Sequence, residues 1–91
     1  LATYTGGTAQ ACGTTSAAVT IPASTNYAII HAEGAAVYWK VNGTGTITST
    51  TAPGYTAVDM SGFIPELDNL SSLWIVGAGT AAVAHIEFFQ A

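Results

Sequence analysis

Apolar and polar side chains alternate along much of this chain. The alternation is clear in residues 17–22, 27–33, 37–41, 72–77 and 81–89, and Gly, Pro and Asn residues separate these stretches. Such alternation indicates strands with one buried face, and several short strands at this spacing are typical of a sandwich or barrel. The pattern therefore predicts an all-β fold. We expect a single small antiparallel β-sandwich or barrel, jelly-roll-like, with about seven or eight strands.

The clearest pair of neighbouring strands lies in residues 25–45. Gly34 and Ala35 fit a two-residue turn with Gly at its first central position. A hairpin closed by this turn puts His31 opposite Tyr38 and collects the apolar residues of both strands on one face. The sequence therefore predicts that the two strands pair directly in one sheet.

The stretches that follow are predicted to be less regular. The polar residues 46–51 are expected to form an edge strand, and residues 55–70 an irregular region. Pro65 cannot donate to a β-ladder. Residues 65–73 have the composition of a single helical turn.

A glycine-containing segment opens the chain. Residues 1–15 include Gly6, Gly7 and Gly13, and glycine weakens regular structure because its backbone has more freedom to lose. We predict that residues 1–15 form a flexible N-terminal arm or an edge segment. Residues 16–91 are predicted to form the β-sandwich.

Two His-x-Glu motifs are the main candidates for chemistry. His31 and Glu33 share one face of their strand, and His85 and Glu87 share one face of theirs. If the two strands pair antiparallel, we expect His31 opposite Glu87 and Glu33 opposite His85, as cross-strand polar pairs. A metal site, an acid–base site and contacts to a neighbouring subunit are the alternatives. Because a flat sheet separates its side chains by about 4.8 Å, we predict a cross-strand polar cluster without a metal.

The charge count limits the classes of partner. The 91 residues include one Lys, no Arg and five acidic residues, for a net charge of −4. One basic side chain cannot neutralise a run of phosphates or hold the chain on anionic lipid, so we expect neither a nucleic-acid nor a membrane partner. Only 7% of the residues are charged, against about 25% in ordinary domains. This favours a surface covered by partners in an ordered assembly; the alternative is a small secreted β-domain with a Thr- and Ser-rich surface.

Signatures of catalysis are missing from the sequence. Cys12 is the only cysteine, which excludes an internal disulfide and a cysteine zinc cluster, and we predict that it fills a small buried space. No G-x-S-x-G nucleophile elbow is present, and the Gly-rich stretches "GTGTIT" and "GAGT" lack the Lys of a phosphate loop. We predict that the protein is not an enzyme and needs no cofactor.

The aromatic residues have two possible roles. Trp39 is predicted to lie in the core, whereas Trp74 fits either the core or an interface. Exposed aromatic rings also form platforms for sugars. The candidates for such a platform are Tyr4, Tyr38, Tyr55 and Trp74, with ordinary packing as the alternative for each.

Two long stretches carry a family resemblance. "VTIP…NYAIIHAEGAAVYWKVNGTGTITS" and "DNLSSLWIVGAGTAAVAHIEFF", together covering about residues 17–89, resemble small β-sandwich decoration (cement) proteins of tailed bacteriophages. The resemblance implies a structural virion protein on the outer surface of the capsid, bound to the major capsid protein and to itself as a dimer or trimer. It implies no enzymatic activity and no cofactor.

The resemblance also directs attention to particular contact residues. Within a decoration protein, the N-terminal segment and the loop 61–70 are the expected contact segments, although the loop could instead pack on its own core. The candidate interface residues are Tyr4, Thr5, Phe63, Ile64 and Trp74. The main rival is a carbohydrate- or receptor-binding β-module of a phage fibre or surface appendage. An enzyme that uses the His/Glu cluster is the third hypothesis, and a neck, tail or fibre location remains open.

Overall fold

The computed structural model describes residues 3–41, 47–64 and 72–91. These residues contain no helix, which confirms the predicted all-β class, and hence none long and apolar enough to cross a bilayer. The strands are β1 (Thr3–Ala11), β2 (Ala17–Val19), β3 (Tyr27–Glu33), β4 (Val37–Val41), β5 (Gly54–Thr56), β6 (Ser61–Ile64), β7 (Leu73–Gly77) and β8 (Val83–Gln90).

The strands form two antiparallel sheets. Sheet A has the order β1-β8-β3-β6, and sheet B has the order β2-β7-β4-β5. Only β4 and β5 follow each other within one sheet, so the other six connections cross between the sheets. This alternation of the chain between two four-stranded sheets is the arrangement of a jelly roll.

The core lies between the two sheets. Sheet A contributes the inward side chains of β3 and β8, and sheet B contributes those of β2, β4 and β7. Trp39 and Val41 pack against this core as partly buried residues, in agreement with the core position predicted for Trp39. The largest fully buried side chains are Phe88, Ile30, Leu73, Ile75, Ile86, Val37 and Val76.

The hairpin predicted for residues 25–45 is wrong. β3 and β4 lie in different sheets, so His31 and Tyr38 are not cross-strand neighbours. The apolar residues at alternate positions of both strands do face the same core, but they do so from opposite sheets. Alternation specifies which face of a strand is buried and leaves the hydrogen-bonding partner open.

The edge strand predicted for residues 46–51 is also wrong where the structure describes it, from residue 47 onward. Residues 48–51 form a turn in which the carbonyl of Thr48 accepts hydrogen bonds from the amides of Thr51 (3.1 Å) and Ala52 (3.0 Å). The Thr51 hydroxyl accepts a further bond from the Thr48 amide at 2.9 Å. Threonine hydroxyls can bond to the nearby backbone in this way, and they then compete with a β-ladder.

The region predicted to be irregular contains two short strands. β5 pairs with β4, and β6 pairs with β3, so the prediction is wrong for these residues. Each strand has three or four residues, too few for the alternation to be recognised in the sequence. The helical turn suggested for residues 65–73 falls mostly outside the described residues.

Residues 3–11 of the N-terminal segment form β1, at one edge of sheet A. The register between β1 and β8 shifts between Tyr4 and Gly6, which makes a β-bulge. Gly6 has a φ of +151°, and a Cβ there would lie 3.0 Å from Cγ of Pro22. Glycine therefore suits the bulge, after which β1 runs regularly to Ala11.

The connection from β3 to β4 depends on Gly34, which has a φ of +81°. Gly34→Ala would strain the backbone and drive a Cβ into the carbonyl of Ala81, so we expect a loss of at least about 1–2 kcal/mol in the free energy of unfolding. Gly13→Ala is the control, since a Cβ there meets its nearest atom, the Thr15 amide nitrogen, at 3.8 Å. Denaturant unfolding of both variants measures the difference, and equal stability would contradict this account of the connection.

Candidate functional site

The outer face of sheet A, here called the A face, carries a row of three aromatic rings across three strands. Tyr4 on β1 and Tyr27 on β3 both lie opposite Phe89 on β8. Tyr27 and Phe89 are stacked, with ring centroids 5.0 Å apart and an interplanar angle of 14°. Tyr4 meets Phe89 edge-on at 5.8 Å and is 57% exposed. This aromatic row forms an apolar surface at one end of the sheet.

A polar patch occupies the other end of the A face. Nε2 of His85 lies 2.9 Å from Oε1 of Glu33, and Nδ1 of His31 lies 3.2 Å from the hydroxyl of Ser61. The two imidazole rings are 6.2 Å apart, tilted by 49°. The A face therefore combines an apolar half with a half that can donate and accept hydrogen bonds.

The two His-x-Glu strands are antiparallel neighbours, as the hypothesis about their polar pairs assumed, but the expected register is wrong by two residues. His31 lies opposite His85, and Glu33 lies opposite Val83, while Glu87 lies opposite Ile29. A shift of two residues keeps every side chain on its own face, so alternation could not detect it. Glu33 still reaches His85 along the diagonal, whereas no bond between Glu87 and His31 forms.

The polar patch has the properties of an ordinary surface pair. The side chains of His85 and Glu33 are 44% and 62% exposed, so solvent screens their interaction. Among the described residues, no group of three His, Cys, Asp or Glu side chains is placed to hold a metal ion. The patch can form hydrogen bonds with a partner through these exposed side chains.

The β1 edge is a second exposed feature. β1 is nine residues long, has β8 on one side, and contains no charged residue and no proline. No other strand of the described chain pairs with its second side. Proteins usually protect long edge strands with charges, prolines or covering segments, whereas this edge has neither charge nor proline and is covered by no described strand.

The outer face of sheet B carries the other aromatic candidates. Tyr38 and Tyr55 lie opposite each other on β4 and β5, with ring centroids 5.1 Å apart and a tilt of 48°. Tyr55 is 58% exposed, whereas Trp74, which lies opposite Lys40, is half-buried. The structure thus separates the four predicted platform residues, with Tyr4 on sheet A and the other three on sheet B.

The remaining candidate interface residues have different settings. The Thr5 hydroxyl lies 2.6 Å from the hydroxyl of Thr25, which is buried, so it is bonded within the protein. The backbones of Phe63 and Ile64 belong to β6, opposite Ile29 and Ala28; their side chains lie outside the described part of the structure.

Cys12 is buried, as predicted, with 4% of its surface exposed. Burial raises the pKa of its thiol, and a hydrogen bond with the backbone of Ala84 acts in the opposite direction. Because a thiolate is the reactive form, this cysteine lacks the setting of a nucleophile.

Sequence reasoning missed Tyr27 and Phe89 as members of the aromatic row. The signal was present, because period-two spacing puts Tyr27 on the face of His31 and Phe89 on the face of His85. The partnership with Tyr4 was harder to find, since it requires β1 to pair with β8.

Comparison with known proteins found no match to a family model, to a curated protein or to a solved structure.

The His85–Glu33 pair should contribute little to stability. A double-mutant cycle with Glu33→Gln and His85→Gln is expected to give a coupling energy of about 0–1 kcal/mol, because both side chains are exposed. Denaturant unfolding of the wild type, both single variants and the double variant measures it. A coupling of several kcal/mol would contradict the description of this pair as solvent-screened.

Proposed function

We propose that this protein is a structural virion protein that decorates a capsid. In this role it binds the outer surface of the shell built from the major capsid protein and stabilises that shell. The A face carries the proposal, because it offers the aromatic row and the polar patch on one surface. Interfaces between proteins commonly combine an aromatic-rich apolar centre with polar groups at the rim.

The geometry of the aromatic row favours a protein partner over a sugar. Tyr27 and Phe89 stack on each other at 5.0 Å, so each ring uses one of its faces for the other. A sugar platform needs ring faces directed toward the ligand, whereas a protein partner can pack against the edges of stacked rings. Tyr4, at 57% exposure, is the anchor that a partner would bury most.

The charge pattern supports a crowded setting. With 7% charged residues and a net charge of −4, the chain has few charges that would repel neighbouring copies. Many identical contacts act together on a shell, so each copy needs only modest affinity. The jelly roll occurs in both viral capsid and lectin domains; since a fold hosts many functions, it supports the proposal as an analogy only.

Native particles from the source test this proposal. We expect the chain to co-migrate with particles on a density gradient, with hundreds of copies per particle, in fixed ratio to the major capsid protein, by quantitative mass spectrometry. A dozen copies or fewer would favour a vertex, neck, tail or fibre component. Absence from the particles would contradict a virion role.

Two tyrosines of nearly equal exposure make a matched pair of variants for this test. Tyr4→Ala removes the anchor of the A face, and Tyr55→Ala removes a tyrosine of 58% exposure from sheet B. We expect Tyr4→Ala to weaken rebinding to particles depleted of the protein by at least about tenfold, as for an interface anchor. Tyr55→Ala should rebind like the wild type. Equal rebinding by both variants would remove the A face from the contact.

A second candidate function is a carbohydrate- or receptor-binding module of a fibre or surface appendage. The observation that favours it is the Tyr38–Tyr55 pair, whose tilted rings leave Tyr55 exposed. An open aromatic face with a polar hydroxyl is a common element of sugar sites.

This second candidate makes the opposite prediction for the same variants. On a glycan array, Tyr55→Ala should lose binding and Tyr4→Ala should retain it, because Tyr55 belongs to the tilted pair with Tyr38 and Tyr4 does not. Titration of any glycan found on the array measures the change in Kd. Failure of the wild-type protein to bind any glycan would reject the carbohydrate-binding form of this candidate.

A further inference from the structure

One side of β1, with which no described strand pairs, presents backbone groups at regular intervals. The Cys12 amide donates to the Ala82 carbonyl at 2.8 Å, and the register continues back along β1 without interruption as far as the bulge. In an antiparallel ladder only every second residue bonds to a given neighbour. The amides and carbonyls of Gly7, Ala9 and Ala11 are therefore directed away from β8.

The side chains at these positions allow close approach by another strand. Gly7, Ala9 and Ala11 are exposed, small and uncharged. No charge in Thr3–Ala11 would repel a like strand. The side chains at Gly7, Ala9 and Ala11 therefore bring neither bulk nor charge to a strand that pairs with this edge.

The length of β1 selects the partner. The other edge strands are β2, β5 and β6, and these have three, three and four residues. The regular part of β1, from Gly7 to Ala11, has five residues, so within the described chain a second copy of this edge still offers a longer ladder than any of the other edges. Identical edges meet antiparallel about a two-fold axis, which closes the assembly at two subunits.

We infer that two copies of this chain pair through antiparallel β1 strands, with Ala9 opposite Ala9 of the second copy at the two-fold axis. Gly7 then lies opposite Ala11 of the second copy, and Ala11 opposite its Gly7. Each of these three pairs exchanges two backbone hydrogen bonds, for a total of about six. The bulge at Gly6 ends the regular ladder on one side.

Pairing of this kind joins the two copies of sheet A into one continuous eight-stranded sheet. Residues that are opposite each other in a sheet share a face, so both A faces point the same way. The dimer thus presents two aromatic rows and two polar patches on one surface. Its use as a two-point contact with a capsid rests on the proposed function; the pairing itself does not.

Charge-swap variants at Ala9 test the pairing with purified protein. By light scattering coupled to size exclusion, the wild type should have twice the 9.2 kDa mass of one chain. Ala9→Lys and Ala9→Glu should each be monomeric, because like charges directly opposite each other destabilise a strand pair. An equimolar mixture of the two variants should recover the doubled mass.

Ser49→Lys is the matched control. It adds the same charge to an exposed turn that belongs to neither sheet and should leave the doubled mass unchanged. Circular dichroism and thermal unfolding of each variant check that the fold is intact. A monomeric or trimeric wild type, an Ala9→Lys dimer, or a mixture that stays monomeric would overturn the inference.

The outcome is separable from that of the particle experiment. A monomer that still co-migrates with particles at high copy number would overturn the pairing and leave the proposed function standing. A dimer that does not associate with particles would support the pairing and reject the capsid role.

Discussion

The apolar layer between the two sheets is the constraint on which the rest of the structure depends. A chain of 91 residues buries only about 60–65% of its unfolded surface, so it can build one such layer. Ile30, Ile86 and Phe88 meet Val37, Leu73 and Ile75 there, and all are at most 1% exposed. Each of these side chains contributes about 1.5–3 kcal/mol by leaving water. Small residues such as Ala28 and Ala84, both fully buried, leave space for the larger ones.

This constraint determines what each outer face can carry. The two sheets pack on one core, so the core-forming strands turn their apolar side toward the same layer and their other side outward. The side chains at the outer positions of β3 and β8 are therefore not part of the core. They hold Tyr27, Phe89, His31, His85 and Glu33 in two groups at opposite ends of sheet A. The A face is thus organised by the register of three strands that are distant in sequence.

The sequence specifies the class of fold and the faces of the strands better than their partners. Alternation correctly predicted that β3 and β8 bury Ala28, Ile30, Ile86 and Phe88, whereas the pairing of these two strands was a separate hypothesis, which the structure confirms. It failed for β3 and β4 because strands that face each other across a core show the same pattern as strands that pair. It failed for the register of His31 because a shift of two residues preserves the face.

The candidate site was predictable only in part, for related reasons. His31, Glu33 and His85 were recognised because two short motifs repeat, and Tyr4 was recognised as a possible surface ring. The aromatic row was not, because it joins Tyr4 to Phe89 across almost the full length of the chain. An edge position was one of the two alternatives predicted for residues 1–15, but a long regular strand there was not expected. Gly6 and Gly7 suggest irregular structure, and the bulge at Gly6 is a property of the β1–β8 pair.

The lack of charge in β1 matters because this strand lies at the edge of a sheet. An unprotected edge is a liability for a free monomer, because it can recruit other strands without limit. A two-fold pairing removes that liability, since it occupies both long edges and leaves, among the described strands, the short β2, β5 and β6 at the sheet edges. A protective lysine in Thr3–Ala11 would prevent the same pairing. An edge that closes on its own copy therefore needs the small, uncharged residues that this strand has, and the A faces that it aligns gain from acting as a pair.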